Sequence, residues 1–270
     1  MSVAIDLTGK RVLVVGGSAG IGRGTALAAA HAGAAITVVG RNPDKLKEVV
    51  ATAGTGTAIV ADVTEPGRCA ELVAEAVDAM GGLDAVVYST GVSPLAPLEE
   101  VDAETWQRVI ATNSIGPALV AQAAVPQLSD DGLVVFISSI TVGAAHYGLG
   151  PYAASKAALD RTVRSWRVEH PERRFVCMAV GDTHDTDFAR DFDMERAAAL
   201  TPKWVAASVI YKNHMESADL GLTIAEFVAM MLAHPGLTIP ELTIVPTGPM
   251  LTMEDVQELM DALTASMSAT

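Results

Sequence analysis

Short apolar runs alternate with longer helical patterns along most of this chain, and no other feature restricts its fold as strongly. Each apolar run is predicted to be a strand, and the stretches between them have the apolar spacing of helices. Strands that alternate with helices form parallel sheets through right-handed crossovers. The predicted strands are Arg11–Val15, Ile36–Val39, Ala58–Ala61, Ala85–Tyr88, Leu133–Ile137, Arg174–Val180 and Leu242–Val245. The predicted helices include Ile21–Ala32, Pro43–Ala51, Pro66–Met80, Ala103–Gln127 and Tyr152–His170.

Length and composition agree with one large domain of this kind. The chain has 270 residues, of which half are apolar and only 4% are aromatic. Aliphatic side chains suit parallel strands that helices cover on both faces. No repeat, low-complexity tract or linker interrupts the pattern. We therefore predict a single α/β domain over residues 1–270, with a doubly wound, mainly parallel, Rossmann-like sheet of about seven strands and helices on both faces.

Charge and cysteine content argue against several classes of function. The formal net charge of −14 argues against nucleic acid as a partner. No apolar run approaches the ~20 residues of a membrane span, and the N-terminus lacks the features of a signal peptide. Cys69 and Cys177 have no metal-type spacing and the histidines are scattered, so no metal site is predicted. These observations predict a cytoplasmic protein with reduced thiols and no membrane partner.

A glycine-rich turn follows the first predicted strand and opens the first predicted helix. It spans residues 16–22 and reads GGSAGIG. Glycines permit a sharp turn and a close approach of the backbone to a pyrophosphate, which the free N–H groups at the helix start then bind. In this strand–turn–helix context, the turn predicts a dinucleotide site formed by Gly16, Ser18, Gly20, Ile21 and Gly22.

The end of the second strand distinguishes NAD from NADP. An acidic residue there binds the ribose 2′-hydroxyl of NAD, whereas an arginine accommodates the 2′-phosphate of NADP. The sequence Val38-Val39-Gly40-Arg41 contains no acid and ends on an arginine. A guanidinium grips phosphate through two hydrogen bonds, so NADP(H) is the favoured cofactor. If Arg41 is only a solvated loop residue, NAD(H) remains open.

Three polar residues in the middle of the chain form a candidate acid–base site. Tyr152 and Lys156 lie four residues apart at a predicted helix start, so the phenol and the ammonium share one helix face. Ser139 follows the apolar strand Leu133–Ile137 and would deliver a hydroxyl to the same cleft. A cation beside a tyrosine favours the phenolate and lowers its pKa from the usual ~10. The set suits proton transfer to or from a substrate oxygen beside a dinucleotide.

These motifs together resemble the short-chain dehydrogenase/reductase family, and the resemblance covers nearly the whole chain. The glycine turn matches the family motif, except that Val15 stands where the family usually has threonine. The family's active-site Ser, Tyr and Lys fall on Ser139, Tyr152 and Lys156, and its fourth catalytic residue falls on Asn113. The resemblance implies an oxidoreductase that transfers hydride between NADP(H) and a ketone, an aldehyde or a secondary alcohol.

The resemblance also implies a role for each catalytic side chain. Tyr152 would be the general acid/base, and Lys156 would lower its pKa and hold the nicotinamide ribose. Ser139 would hydrogen-bond the substrate oxygen, and Asn113 would anchor a water in a proton relay to Lys156. Ser138 alternates to the other face of the strand and is left out of the set.

Further cofactor contacts follow from the family pattern. Asp62 and Val63 fall on the pair that contacts adenine. Gly91 falls on the glycine that lets the backbone pass close to the adenosine ribose. Tyr88 and Ser89 stand where the family has asparagines, and Thr90 stands where it has alanine, so the local hydrogen bonding differs from that of the family.

The segment after the sixth strand departs from the family pattern. Gly181 matches its glycine, but Asp185 occupies the position of the threonine that binds the nicotinamide amide. Thr183 is included among the cofactor contacts for that role, and Thr186 is the alternative. The irregular segment Asp182–Asp219 corresponds to the family's substrate-covering lid, with an ordinary surface excursion as the other interpretation.

Two further features concern the C-terminus and assembly. Thr252 and Asp255 resemble a capping box that would start a helix near residues 252–265. Family members commonly pair through the two long helices beside the active site, here Ala103–Gln127 and Tyr152–His170. The resemblance therefore implies a homotetramer or a homodimer.

Two other classes of function stay open. A non-catalytic NADP(H)-binding sensor could use the same fold, and the altered Ser89-Thr90 and Val180-Gly181 favour it. The complete set of Ser139, Tyr152 and Lys156 counts against it. An epimerase or dehydratase also uses Tyr and Lys, but such relatives usually have a different glycine spacing and a longer substrate domain.

Overall fold

The computed structural model describes residues 5–258, whose centre is one parallel β-sheet. Its strands are β1 Arg11–Val15, β2 Ala35–Gly40, β3 Thr57–Val60, β4 Leu83–Tyr88, β5 Leu128–Ser139, β6 Arg174–Val180 and β7 Glu241–Ile244. The seven strands lie in the order β3-β2-β1-β4-β5-β6-β7, and every neighbouring pair is parallel. The predicted Rossmann-like fold is confirmed.

Eight α-helices lie wholly within the described residues. They are α1 Gly20–His31, α2 Pro43–Ala53, α3 Arg68–Met80, α4 Ala103–Ile110, α5 Gly116–Ala124, α6 Gly150–Glu169, α7 Met194–Ala206 and α8 Ser217–Ala233. A π-helical turn, Ala111–Ile115, joins α4 to α5, so the predicted helix Ala103–Gln127 is continuous but bulged. The expectation of an irregular segment over Asp182–Asp219 is wrong where α7 lies. That helix forms although Pro202 lies inside it, and the carboxylate of Asp193 caps its start.

Helices cover both faces of the sheet, because side chains alternate along each strand. Val12 and Val14 of β1 pack in the core layer that contains α1, α2 and α8. Leu13 and Val15 pack in the opposite layer, against α3, α5 and α6. With both faces covered, the carboxyl ends of the strands are the place where such a sheet binds ligands.

The helical stretch Ala103–Gln127 also has properties of a membrane-spanning helix. It is long and apolar enough to cross a membrane by length and composition alone, contrary to the expectation that no run approaches that length. Half of the apolar window is buried inside the protein, where Val120, Ala121 and Ala124 pack against the sheet. A core helix passes the same test, so this finding is weak evidence for a span.

The predicted C-terminal helix begins where the capping box placed it. Residues 253–258 are helical, and the rest of the predicted helix lies outside the described residues. The backbone N–H of Thr252 donates to the Asp255 carboxylate at 2.9 Å, and the Asp255 N–H donates to the Thr252 hydroxyl at 3.2 Å. This reciprocal pair is a capping box in which aspartate replaces the usual glutamate.

Candidate active site

A cavity of about 1180 Å³ opens at the carboxyl ends of the strands. The loops that follow β1, β2, β4, β5 and β6 line it, as expected for ligand sites in open parallel sheets. The predicted site residues on its wall are Gly16, Ser18, Gly20, Ile21, Arg41, Asp62, Val63, Gly91, Ser139, Tyr152, Lys156, Gly181 and Thr183. Gly22 and Asn113 do not line the cavity, and both lie behind residues that do.

The glycine turn has the geometry that a pyrophosphate requires. Gly16 has a φ of +91°, and a Cβ added to it would lie 2.7 Å from the backbone nitrogen of Thr90. A Cβ added to Gly22 would lie only 2.2 Å from the carbonyl oxygen of Gly16. Ala19, the N-cap of α1, makes no side-chain cap, and the first turn holds no acid. The free N–H groups at this helix start therefore suit a phosphate.

Arg41 lies where the loop after β2 lines the cavity, and it is paired with Asp62 across the rim. Their closest side-chain atoms, Nη1 and Oδ2, are 3.7 Å apart, and the Arg41 side chain is 61% exposed. Burial raises the pKa of Asp62, but hydrogen bonds from Thr64 and the charge of Arg41 together hold it below its ordinary value. Ion pairs this exposed contribute only about 0–1 kcal/mol. A phosphate can therefore replace the carboxylate at little cost.

The structure brings Ser139, Tyr152 and Lys156 together at the end of β5 and the start of α6. All three side chains are buried. The Ser139 hydroxyl accepts from the Thr141 hydroxyl at 3.0 Å and lies close enough to the Tyr152 phenol to lower its pKa. The Lys156 ammonium donates to the carbonyl oxygen of Ile137 at 2.7 Å and lies 5.8 Å from the centroid of the Tyr152 ring. Phenol, hydroxyl and ammonium thus share one pocket, as predicted.

Burial dominates the titration of this group. It raises the pKa of Tyr152 to about 12, although the nearby Ser139 hydroxyl lowers it in part. It lowers the pKa of Lys156 to about 8, against the charges of Cys177 and Asp160. The expected lowering of the Tyr152 pKa by Lys156 is therefore not found in this structure. The ammonium is bound to a backbone carbonyl rather than to the phenol, and desolvation favours the neutral phenol.

Asn113 lies in the π-helical turn between α4 and α5, fully buried. Its amide nitrogen donates to the Val92 carbonyl and to the Ser155 hydroxyl, each at 2.9 Å. Its oxygen accepts from the Val92 N–H at 2.9 Å. The side chain clamps the loop after β4 onto α6, and π-turns of this kind are frequent at functional sites. The remaining lone pair of the oxygen is what the predicted water relay would use.

Gly91 lies between that asparagine and the lysine. A Cβ added to Gly91 would lie 3.5 Å from Oδ1 of Asn113 and 3.6 Å from Nζ of Lys156. The glycine therefore leaves open backbone beside both groups, where the family pattern places the cofactor ribose.

The segment after β6 folds over the cavity. Asp185 adopts a φ of +54°, which is unusual for a residue with a side chain. This bend seats Thr186 on the glycine turn, its Cα 3.2 Å from the position of a Gly20 Cβ. Thr183 directs its hydroxyl to the Gly181 carbonyl at 2.9 Å. Of the two threonines, Thr186 is therefore the one that lies against the glycine turn.

Phe188, which the sequence places only within the lid segment, contacts Tyr152 directly. Its ring meets the Tyr152 ring edge to face, with 5.2 Å between centroids, and Phe192 packs on it at 5.3 Å. In the sequence, the aromatic residues of this otherwise polar segment are the feature that could have indicated this contact. They place an apolar cover over the phenol.

Fold and site together are those of a dinucleotide-binding protein with a buried phenol and a lysine beside the cavity. A family model described as short chain dehydrogenase matches residues 10–197. The chain belongs to the short-chain dehydrogenase/reductase family and is an NAD(P)-dependent oxidoreductase. Among the function classes considered, this favours the enzyme over the non-catalytic sensor.

Relatives agree on the class of chemistry. Hydroxynaphthalene reductase-like protein Arp2 of Metarhizium brunneum is 35% identical over 183 residues, 65% of this chain and 68% of the relative. Glucose 1-dehydrogenase of Gluconobacter oxydans is 34% identical over 182 residues, 64% of this chain and 68% of the relative. A short chain dehydrogenase from Burkholderia cenocepacia, solved in complex with NADP, is 25% identical with a TM-score of 0.76, covering 88% of this chain and 97% of that one.

Proposed function

We propose that this protein is an NADPH-dependent reductase that transfers hydride to the carbonyl carbon of a ketone or aldehyde, with Tyr152 as the general acid. The observation that carries this proposal is the buried Tyr152 phenol, which lies with Ser139 and Lys156 on the wall of the cavity. With a pKa of about 12, the phenol stays protonated at physiological pH and is ready to donate. The reverse oxidation needs its phenolate.

Each of the three side chains has a distinct task during reduction. Hydride comes from the bound nicotinamide. The Ser139 hydroxyl donates a hydrogen bond to the substrate oxygen and stabilises its growing charge, and Tyr152 gives that oxygen a proton. Lys156 then stabilises the phenolate left behind. Its ammonium is close enough to act electrostatically without displacing the phenol from the substrate.

We propose that the segment Asp182–Asp219 acts as the lid over the substrate. Its base is tied down, because the N–H of Tyr211 donates to the Asp182 carboxylate at 2.9 Å and the N–H of Met215 donates to the Asp182 carbonyl at 3.0 Å. Phe188 would exclude water from the phenol. The single-domain organisation over residues 1–270 and a cytoplasmic location stay predictions.

The lid favours an apolar substrate. Leu149, Phe192 and Trp204 line the cavity there, and Phe192 and Trp204 also pack against the buried cluster of Leu95, Leu149 and Leu200. An aromatic or aliphatic ketone fits such a surface better than a sugar does. The relative named as a hydroxynaphthalene reductase supports this choice, and the one named as a glucose dehydrogenase is the competing case.

A substrate screen tests this proposal. Aromatic ketones, aliphatic ketones, aldehydes and aldoses are each incubated with the protein and NADPH, with NADH in parallel. We expect NADPH oxidation with aromatic or aliphatic ketones and little with aldoses. Turnover confined to aldoses would contradict the proposed substrate class.

Arg41 is expected to set the preference for NADPH. We predict that NADPH binds more tightly than NADH, and that Arg41→Ala reduces the ratio of the two affinities by about 10- to 100-fold. A hydrogen bond to a charged group contributes roughly 1.5–3 kcal/mol, which is the source of this estimate. Fluorescence titration of both cofactors measures the effect. Lys47→Ala, at an exposed lysine of α2 that does not line the cavity, removes the same charge as a control. Equal affinities for the two cofactors in the wild type would refute the assignment.

We also propose that the protein assembles as a homotetramer or homodimer. Ile115 and Leu119 are exposed on the helical stretch Ala103–Gln127. They lie four residues apart and therefore on the same face of the helix. An apolar pair beside the active-site helices suits a contact between copies. Light scattering after size exclusion decides the matter: we expect a multiple of the 28.0 kDa chain mass, lost in the double variant Ile115→Asp, Leu119→Asp. A wild type at the chain mass at micromolar concentration would exclude the oligomer.

A further inference from the structure

Asp160 lies on α6 one helical turn after Lys156, and two buried side chains hold its carboxylate. The Ser138 hydroxyl donates to Oδ1 of Asp160 at 2.5 Å. The Cys177 thiol donates to the same oxygen at 3.0 Å. Ser138 is 1% exposed and Cys177 is 6% exposed, so β5 and β6 each supply a donor from inside the protein. The proposed reaction uses none of these three side chains.

The hydrogen bonds of Ser138 and Cys177 to Asp160, here called the Asp160 anchor, lie next to the contacts of Lys156. Ile137 and Ser138 are neighbours on β5, and each binds a different residue of α6. The Ile137 carbonyl accepts from Lys156, and the Ser138 hydroxyl holds Asp160. Residues four apart share one helix face, so the two contacts fix the register of α6 against the strand. Displacing Asp160 would therefore displace Lys156.

The anchor also supplies a charge. The groups whose charges act on Lys156 are Cys177 and Asp160, and both favour its ammonium. Burial, reinforced by the hydrogen bond with Asp160, raises the pKa of Cys177 to about 12, so this thiol is neutral at physiological pH. That leaves Asp160 as the anion among the described residues that opposes the desolvation of the lysine.

In the described part of the chain, three other titratable groups face Asp160, Cys177 or Lys156. On α6, Arg164 also faces Asp160, but its guanidinium is exposed and paired with Glu241 at 2.9 Å. Arg167 faces Cys177. The remaining titratable neighbour of Lys156 is Tyr152, whose phenol is neutral until it donates its proton.

We propose that Asp160, held by Ser138 and Cys177, is a positioning residue that fixes Lys156 beside Tyr152 and keeps it protonated. The inference rests on the proposed function, in which Lys156 is the cation that stabilises the tyrosine phenolate. Asp160 touches neither substrate nor cofactor and acts through the lysine alone.

The pH profile of kcat/KM separates this role from a merely structural one. Asp160→Asn keeps the size of the side chain and removes its charge. Without a neighbouring anion the ammonium loses its proton at lower pH. We call the part of the profile that reports this proton loss the Lys156 limb, and we expect its apparent pKa to fall by about one pH unit. Asp160→Glu keeps the charge and should return the limb to its wild-type position, with a lower rate. A merely structural role lowers the rate of both variants at every pH and leaves the limb in place.

Two more variants sharpen the comparison. Ser138→Ala frees the carboxylate without removing it, so the limb should move in the same direction by a smaller amount. It also carries the test if Asp160→Asn fails to fold. Glu169→Gln removes an exposed charge from the same helix and should leave the limb unmoved.

A readout without substrate distinguishes this inference from the proposed function. Carbon-13 labelling of the six lysines allows the Lys156 side chain to be titrated by NMR, with its signal assigned by its loss in Lys156→Met. We expect its midpoint to fall by about one pH unit in Asp160→Asn. Midpoints that match the wild type in both Asp160→Asn and Ser138→Ala would overturn the inference. A shifted midpoint in a protein that reduces no carbonyl would instead reject the proposed function and retain the coupling.

Discussion

Replacing Tyr152 by phenylalanine is expected to lower kcat by about 10²- to 10⁴-fold, the usual contribution of general acid–base catalysis. The substitution removes only the hydroxyl, because the ring and its edge-to-face contact with Phe188 remain. NADPH affinity should therefore stay at the wild-type value. Steady-state kinetics on any ketone that the wild type reduces, with a fluorescence titration of NADPH, gives both quantities.

The control is a second tyrosine on the loop before α6. Tyr147 does not line the cavity, and its ring contacts the ammonium of Lys203 at 3.7 Å. Tyr147→Phe removes the same atom while retaining that contact, so its kcat should match the wild type. A Tyr152→Phe variant that turns over as fast as the wild type would remove Tyr152 from the mechanism.

Gly22→Ala is expected to weaken NADPH binding by about two to four decades. The new Cβ would lie 2.2 Å from the Gly16 carbonyl oxygen, and a backbone atom cannot turn aside, so the glycine turn must open. Displacing the N–H groups at the start of α1 removes at least two hydrogen bonds to the pyrophosphate. At roughly 1.5–3 kcal/mol each, these account for the expected loss.

Calorimetric titration of NADPH measures this loss. Gly236→Ala is the matched control, because a Cβ there would meet nothing within 4 Å. Circular dichroism checks that both variants fold. Wild-type NADPH affinity in a folded Gly22→Ala protein would show that the turn does not hold the pyrophosphate.

The sheet and the glycine turn could be predicted because their signals are local. β1 and β6 have the predicted bounds, since each is a short apolar run ended by glycine or a polar loop. The turn at residues 16–22 is likewise evident from four closely spaced glycines. Right-handed crossovers then bring the strand ends together without further information.

What the sequence could not supply depends on contacts between distant residues. The π-turn at Ala111–Ile115 interrupts an otherwise helical pattern because Asn113 is drawn to Val92 and Ser155. The direction of the Tyr152 pKa shift follows from burial, which no spacing reveals.

Asp160 is the clearest case of such a hidden role. In the sequence it resembles an ordinary charge on a helix surface. Only the packing of α6 on β5 and β6 brings Ser138 and Cys177, 22 and 17 residues away, to its carboxylate.

Deuterium tracing tests the central claim most directly. NADPH in which deuterium replaces both hydrogens at the reactive carbon of the nicotinamide ring is incubated with the wild type and a ketone identified by the screen, and the product is analysed by mass spectrometry and NMR. We predict an alcohol with deuterium on the former carbonyl carbon, formed in equal amount to the NADP⁺ produced. An unlabelled alcohol, or a product formed without net oxidation of NADPH, would contradict hydride transfer to a carbonyl.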